Sequence, residues 1–246
     1  MPVWQIDLTA IGWANLVVFF ASLVSSITGF GYALLAAPVL VLFLTPKIVV
    51  PVVLMSWMPL SLLLIRESYA EIAWRKIGYW LIGALPGMIL GVYGLAKIDE
   101  GPMRGGIGVV TLLAALVILL RPRRPIKREQ PVSVLVGLLS GAMAGASGVS
   151  GPPVVLFGLN QGWDYRVLRA CLIAYFAVLH AMTITVMGNF GMINSQTLGL
   201  AAWVLPGMVV GYLLGIRLRD RINSTFFRNL TLCLVGLAGL LSILRY

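Results

Sequence analysis

Ser25-Ser26-Ile27-Thr28-Gly29-Phe30-Gly31, and about 120 residues later Gly145-Ala146-Ser147-Gly148-Val149-Ser150-Gly151-Pro152-Pro153, decide the fold. Each cluster interrupts a long apolar run with residues that let the backbone leave helical geometry. Broken apolar segments at corresponding positions of two halves point to the binding site of a membrane transporter.

The rest of the 246-residue chain fits a membrane setting. It is 60% hydrophobic and 11% charged, with a mean hydropathy of +0.98. That is far above soluble composition and predicts an all-α polytopic membrane protein. The net charge of +10 comes from Lys and Arg in short loops between apolar runs, which reads as topology and lipid headgroup contact and not as a nucleic-acid surface. Met1 to Trp13 has neither a basic n-region nor a small-residue cleavage site, so no removable signal peptide is expected. Cys171 and Cys233 lie far apart in apolar runs without a ligand-spaced partner, so no metal or cofactor is expected.

Eight apolar runs are bounded by charge or turn residues: 13–44, 48–65, 77–96, 105–120, 132–159, 167–187, 198–216 and 226–244. A second landmark repeats with them. Leu85-Pro86-Gly87-Met88 with Gly91 recurs as Leu205-Pro206-Gly207-Met208 with Gly211, offset by 120, while the break clusters align at 119. The expected organisation is a first transmembrane repeat over 1–120, a basic cytoplasmic linker over 121–130 and a second repeat over 131–246.

Runs one and five are 32 and 28 residues long. As straight helices they would extend about 48 and 42 Å, beyond an apolar core of about 30 Å, yet neither can supply two full spans. Folding each about its central break gives a re-entrant hairpin with arms of about 14 residues. Charge tests the alternatives. Eight simple crossings divide the 18 Lys and Arg evenly, whereas two re-entrant hairpins place fourteen on one side and leave Lys47, Lys97, Arg104 and Arg245 on the other. The uneven split predicts both termini outside, the linker inside and three further helices per half, which makes the repeats inverted. A long tilted helix in place of each hairpin stays open.

The first break with Ala36-Ala37-Pro38-Val39-Leu40, and its counterpart Gly148-Val149-Ser150-Gly151-Pro152-Pro153, resemble the paired motifs of the TauE/SafE sulfite exporter family. The resemblance covers essentially the whole chain. It implies a transporter of the bacterial plasma (inner) membrane carrying sulfite, sulfonates or related small anions, and not an enzyme. Ser150, where the family often has glycine, and the two prolines after it depart from the pattern.

An anion can be held by the unpaired N–H groups and positive end of a helix N-terminus without any buried Lys or Arg. The chain restarts after each break, so the expected substrate-binding residues are Ser25, Ser26, Thr28, Gly29, Gly31, Ser147, Gly148, Ser150 and Gly151. The same small residues could instead serve close helix packing. His180, the only histidine, is a candidate for proton coupling or a neutral bridge between helices. Arg169 could attract anions at a mouth or anchor at the interface. Trp57 and Tyr175 could pack or wall a pathway, Trp4, Trp13 and Trp163 suit the interface, and Asn189 and Asn194, in an uncharged outer loop, could line an exit path or serve turns. Pro86 and Pro206 are candidate hinges. Expected partners are a small anionic substrate, the lipid bilayer, protons as coupling ion and a second copy of the chain, with no nucleic acid. A passive anion channel is the alternative, and an intramembrane enzyme would need a catalytic group beyond His180 and a serine.

Overall fold

The computed structural model describes residues 8–120 and 126–218, and all regular structure among them is helical. The linker residues 121–125, the last apolar run, Cys233 and Trp4 lie outside the described residues. Helix α1 (Leu8–Thr28) stops at Gly29, whose φ of 81° is open chiefly to glycine, and Gly29 N–H closes the turn on the Ser25 carbonyl at 2.8 Å. Gly31, with φ of 94°, starts α2 (Tyr32–Leu40). In the second half α6 (Glu129–Ser147) ends on Gly148 at φ 74° and α7 (Gly151–Asn160) follows.

Between them come α3 (Pro46–Ser68), with Pro46 in its first turn, α4 (Trp74–Lys97) and α5 (Glu100–Leu120). After α7, the Asp164 side chain caps α8 (Tyr165–Asn189). Asn194 and Thr197 form a capping box on α9 (Ser195–Trp203), and Val204 joins it to α10 (Leu205–Leu218). Among the described residues six stretches are long and apolar enough to cross a membrane: α1, α3, α4, α6, α8 and α9 with α10 together.

The arms on either side of the breaks are unequal, contrary to the two arms of about 14 residues expected. They contain 21 and nine residues in the first half and 19 and ten in the second. Ser26, Thr28 and Ser147 stay helical, with hydroxyls bonded to backbone carbonyls, and the chain turns at the positive-φ glycines; α1 also begins at Leu8, ahead of the apolar run, and α2 stops at Leu40, short of its end. At about 1.5 Å per residue, α1 is long enough to cross an apolar core and α2 reaches only about half of it.

Two glycine seams hold the helices together. Gly83, Gly87 and Gly91 on α4 face the carbonyls of Val134, Leu138 and Ala142 on α6, while Gly137, Gly141 and Gly145 face Trp80, Ala84 and Met88 in return. On α10, Gly207, Gly211 and Gly215 lie against the carbonyls of Asn15, Phe19 and Leu23 on α1. Each Pro-Gly helix therefore packs on the breaking helix of the other half. In lipid, where apolar burial offers little drive between helices, such close backbone approach is what packs them. Pro86 lies inside a continuous α4, and Pro206 in the first turn of α10.

Gly87→Ala and Gly211→Ala each place a methyl against a backbone carbonyl and should cost about 1–3 kcal/mol of stability, the usual range for overpacking. Gly78→Ala, where an added Cβ meets nothing, is the control. Thermal unfolding in detergent checks this: both seam variants should melt below the parent and the control should not.

Candidate functional site at the two helix breaks

The two breaks meet. Phe30, Gly31, Tyr32, Ala33 and Leu34 from the first, and Val149, Ser150, Gly151 and Pro152 from the second, line one cavity of about 30 Å³. Val53 and Trp57 of α3 and Phe176 and His180 of α8 complete its walls. That volume suits about one water molecule, so a larger occupant requires the walls to part.

His180 is 4% exposed, and its Nε2 lies 2.9 Å from the Ser150 hydroxyl. Its Nδ1 is buried without a partner. The imidazole stacks on Phe176 at 5.7 Å and takes the edge of Trp57 at 5.1 Å, so the ring is fixed by packing on two sides. Trp57 Nε1 in turn donates to the Ser25 hydroxyl at 3.3 Å. The Ser150 carbonyl accepts from the Ser140 hydroxyl at 2.6 Å, and Ser140 accepts from Tyr175 at 2.9 Å. Tyr32 OH is bonded to Ser56 at 2.8 Å. An orphaned nitrogen at the wall of a cavity between two helix starts is an arrangement suited to an incoming hydrogen-bonding ligand.

Around α1 the orphaned carbonyls of the last turn are met from α8. Arg169, buried, donates through Nη2 to the Ser26 carbonyl at 3.1 Å, and Tyr165 OH donates to Ile27 at 3.1 Å. A guanidinium at a helix C-terminus also complements the negative end of its dipole.

The family model for "Sulfite exporter TauE/SafE" matches residues 14–242. The chain belongs to the TauE/SafE sulfite exporter family. Among curated proteins it is similar to a "Probable sulfite/organosulfonate exporter TauE" from Cupriavidus necator, 28% identical over 151 residues. The chain spans just under three-fifths of that relative's length, the aligned stretch covering 60% of this chain and 59% of the relative. No solved structure matches it. This family member is thus a multi-pass membrane protein of a transport family.

Of the residues expected to bind substrate, Gly31, Ser150 and Gly151 line the cavity, and so does His180, the candidate for proton coupling. Ser25 stands behind Trp57, whereas the Ser26, Thr28 and Ser147 hydroxyls donate to backbone carbonyls. Gly29 gives room to the Arg169 stem, and Gly148 packs beside Val50 and Leu54. Arg169 is buried against α1, its guanidinium on the Ser26 carbonyl. Asn194 serves its turn, and Trp163 stacks on buried Trp80 at 5.3 Å beneath Lys76. Sequence reasoning left out Phe30, Tyr32, Val53 and Phe176. The signal that could have found Phe176 is its spacing, one turn before His180 on the same face of α8.

Arg169→Met should lower stability by about 1–2 kcal/mol, since the Ser26 carbonyl loses a charged donor. Tyr165→Phe should cost less. Melting temperatures of the purified variants give the order, and an unshifted Arg169→Met would show that the cap contributes nothing.

Proposed function

We propose that this protein is a secondary transporter that exports a small anion, with sulfite or an organosulfonate as substrate, through the cavity between the two breaks. The observation that carries the reading is the convergence of two helix N-termini with a buried histidine whose Nδ1 is unsatisfied. Helix starts offer N–H donors and a positive potential, and hydroxyls such as Ser150 add directional contacts, so an oxyanion is held without a buried Lys or Arg in the cavity wall. The family and the named relative support the substrate class.

The transport cycle is alternating access between two inverted repeats, 1–120 and 131–246, joined by the basic linker over 121–130. The reciprocal seams of α4 with α6 and α10 with α1 support it, because each half grips the breaking helix of the other. Helices α2 and α7 are too short to cross by themselves and return from the break as re-entrant arms. Pro86 and Pro206 act as hinges, and His180 carries the coupling proton. The protein resides in the bacterial inner membrane with both termini outside.

Proteoliposomes containing the full chain should take up labelled sulfite and alkylsulfonates saturably, with accumulation driven by an imposed proton gradient. Ser150→Ala should reduce flux about tenfold, and His180→Gln, which cannot take up a proton in its place, should lose accumulation against the gradient. The absence of saturable anion flux would sink the transporter reading, and flux that rises without limit would indicate a channel. For the topology, a reporter inserted after Lys47 should be accessible from the same side as one at the N-terminus. Accessibility from opposite sides would replace the re-entrant arm with a simple crossing.

A further inference from the structure

The two sides of the cavity differ chemically. Helix α2 opens with Tyr32, Ala33 and Leu34, whose backbone N–H groups precede the first intrahelical bond, Leu35 N–H to the Gly31 carbonyl at 3.0 Å. No side chain caps them. Helix α7 opens with Gly151, Pro152 and Pro153, so two of its three corresponding positions have no N–H at all. Its dipole remains, but most of the donors that would turn that potential into directional bonds are gone. The wall here is mostly carbon, from Phe30, Val149, Pro152 and Phe176, and its one hydroxyl, Ser150, is turned to His180.

His180 supplies a second, independent pointer to a ligand. Its ring is more than nine-tenths buried in the wall of this cavity, Nε2 is engaged by Ser150, and Nδ1 has no partner. In the neutral tautomer that accepts the Ser150 hydroxyl at Nε2, the ring carries its proton on Nδ1 and has one donor to offer.

We propose that the site is one-sided. The oxyanion head of the substrate docks on the N–H groups of Tyr32, Ala33 and Leu34 with Nδ1–H of His180, and Pro152 and Pro153 turn the facing end of α7 into an apolar seat for the substrate's substituent. Pro152 and Pro153 are then the specificity-determining residues, selecting anions with one charged head and a small apolar group over bare oxyanions. This rests on the reading of the cavity as an anion site. Phe30, only half-buried, is the wall that can turn aside to admit the substituent, while Phe176 stays stacked on His180.

Equilibrium binding of labelled methanesulfonate, ethanesulfonate and sulfite to the purified full chain in detergent tests this separately from flux. Ethanesulfonate carries the same head as methanesulfonate and one more CH₂, and should bind about fourfold tighter. Pro152→Ala, and more so Pro152→Ala with Pro153→Ala, restores N–H donors and should narrow the preference for ethanesulfonate over sulfite by about threefold or more. Equal or weaker binding of ethanesulfonate than methanesulfonate by the unaltered chain overturns the proposal without recourse to any variant, as does a preference that folded proline variants leave unmoved. Graded binding without saturable flux would uphold the one-sided site and remove the transporter reading. Binding of none of the three probes would remove both.

Discussion

A backbone that leaves helical geometry within a bilayer must find partners for its N–H and C=O groups inside the protein. Both breaks exist because neighbouring helices meet that demand. At the end of α1, Gly29 N–H closes on Ser25, and α8 reaches over with Arg169 to Ser26 and Tyr165 to Ile27. At the second break the Ser150 carbonyl is met by Ser140, itself held by Tyr175 of α8. Tyr165, Arg169, Phe176 and His180 follow one another at intervals of four, seven and four residues, so they form a single stripe. The helix that completes the first break is therefore also the one that walls the cavity and presents the histidine.

The donors at the start of α2 differ in kind from the carbonyls at the end of α1. The Ser25, Ser26 and Ile27 carbonyls are met within the protein, whereas the N–H groups of Tyr32, Ala33 and Leu34 find no acceptor among the described residues. A chain that satisfies one end of a break and leaves the other open has placed its unmet hydrogen bonds where a ligand can meet them.

Much of this was legible from residue types. Two glycine-centred breaks and two Leu-Pro-Gly-Met segments at matching offsets predict the helical architecture, and of the serines in the second cluster Ser150 lines the cavity. The position of each break within its segment was harder to read, because serine and threonine suit a turn and a helix alike. Whether Thr28 ends up helical depends on its hydroxyl finding the Val24 carbonyl. Arg169 looked like an interfacial cation by its place near the start of a helix. Its burial follows from a three-dimensional coincidence, the missing side chain at Gly29 leaving space for its stem, and no linear pattern encodes that. Phe30 and Phe176 were hidden among many apolar residues, any of which could equally have faced lipid.

Glycines recurring every fourth residue look alike after a slide of one helical turn, about 5.4 Å, so a seam built on them leaves the axial register undetermined. On α1 and α10 that register is pinned: Asn15 donates to the Trp203 carbonyl at 2.9 Å and accepts from Gly207 N–H at 3.0 Å, and Ser22 donates to Met208 at 2.7 Å. Between α4 and α6 no side-chain hydrogen bond crosses among the described residues, and the one polar tie is the exposed 3.7 Å ion pair of Lys76 with Glu129 at the end. The protein thus carries one bolted rail and one greased rail, and the greased one ends at the break that holds Ser150.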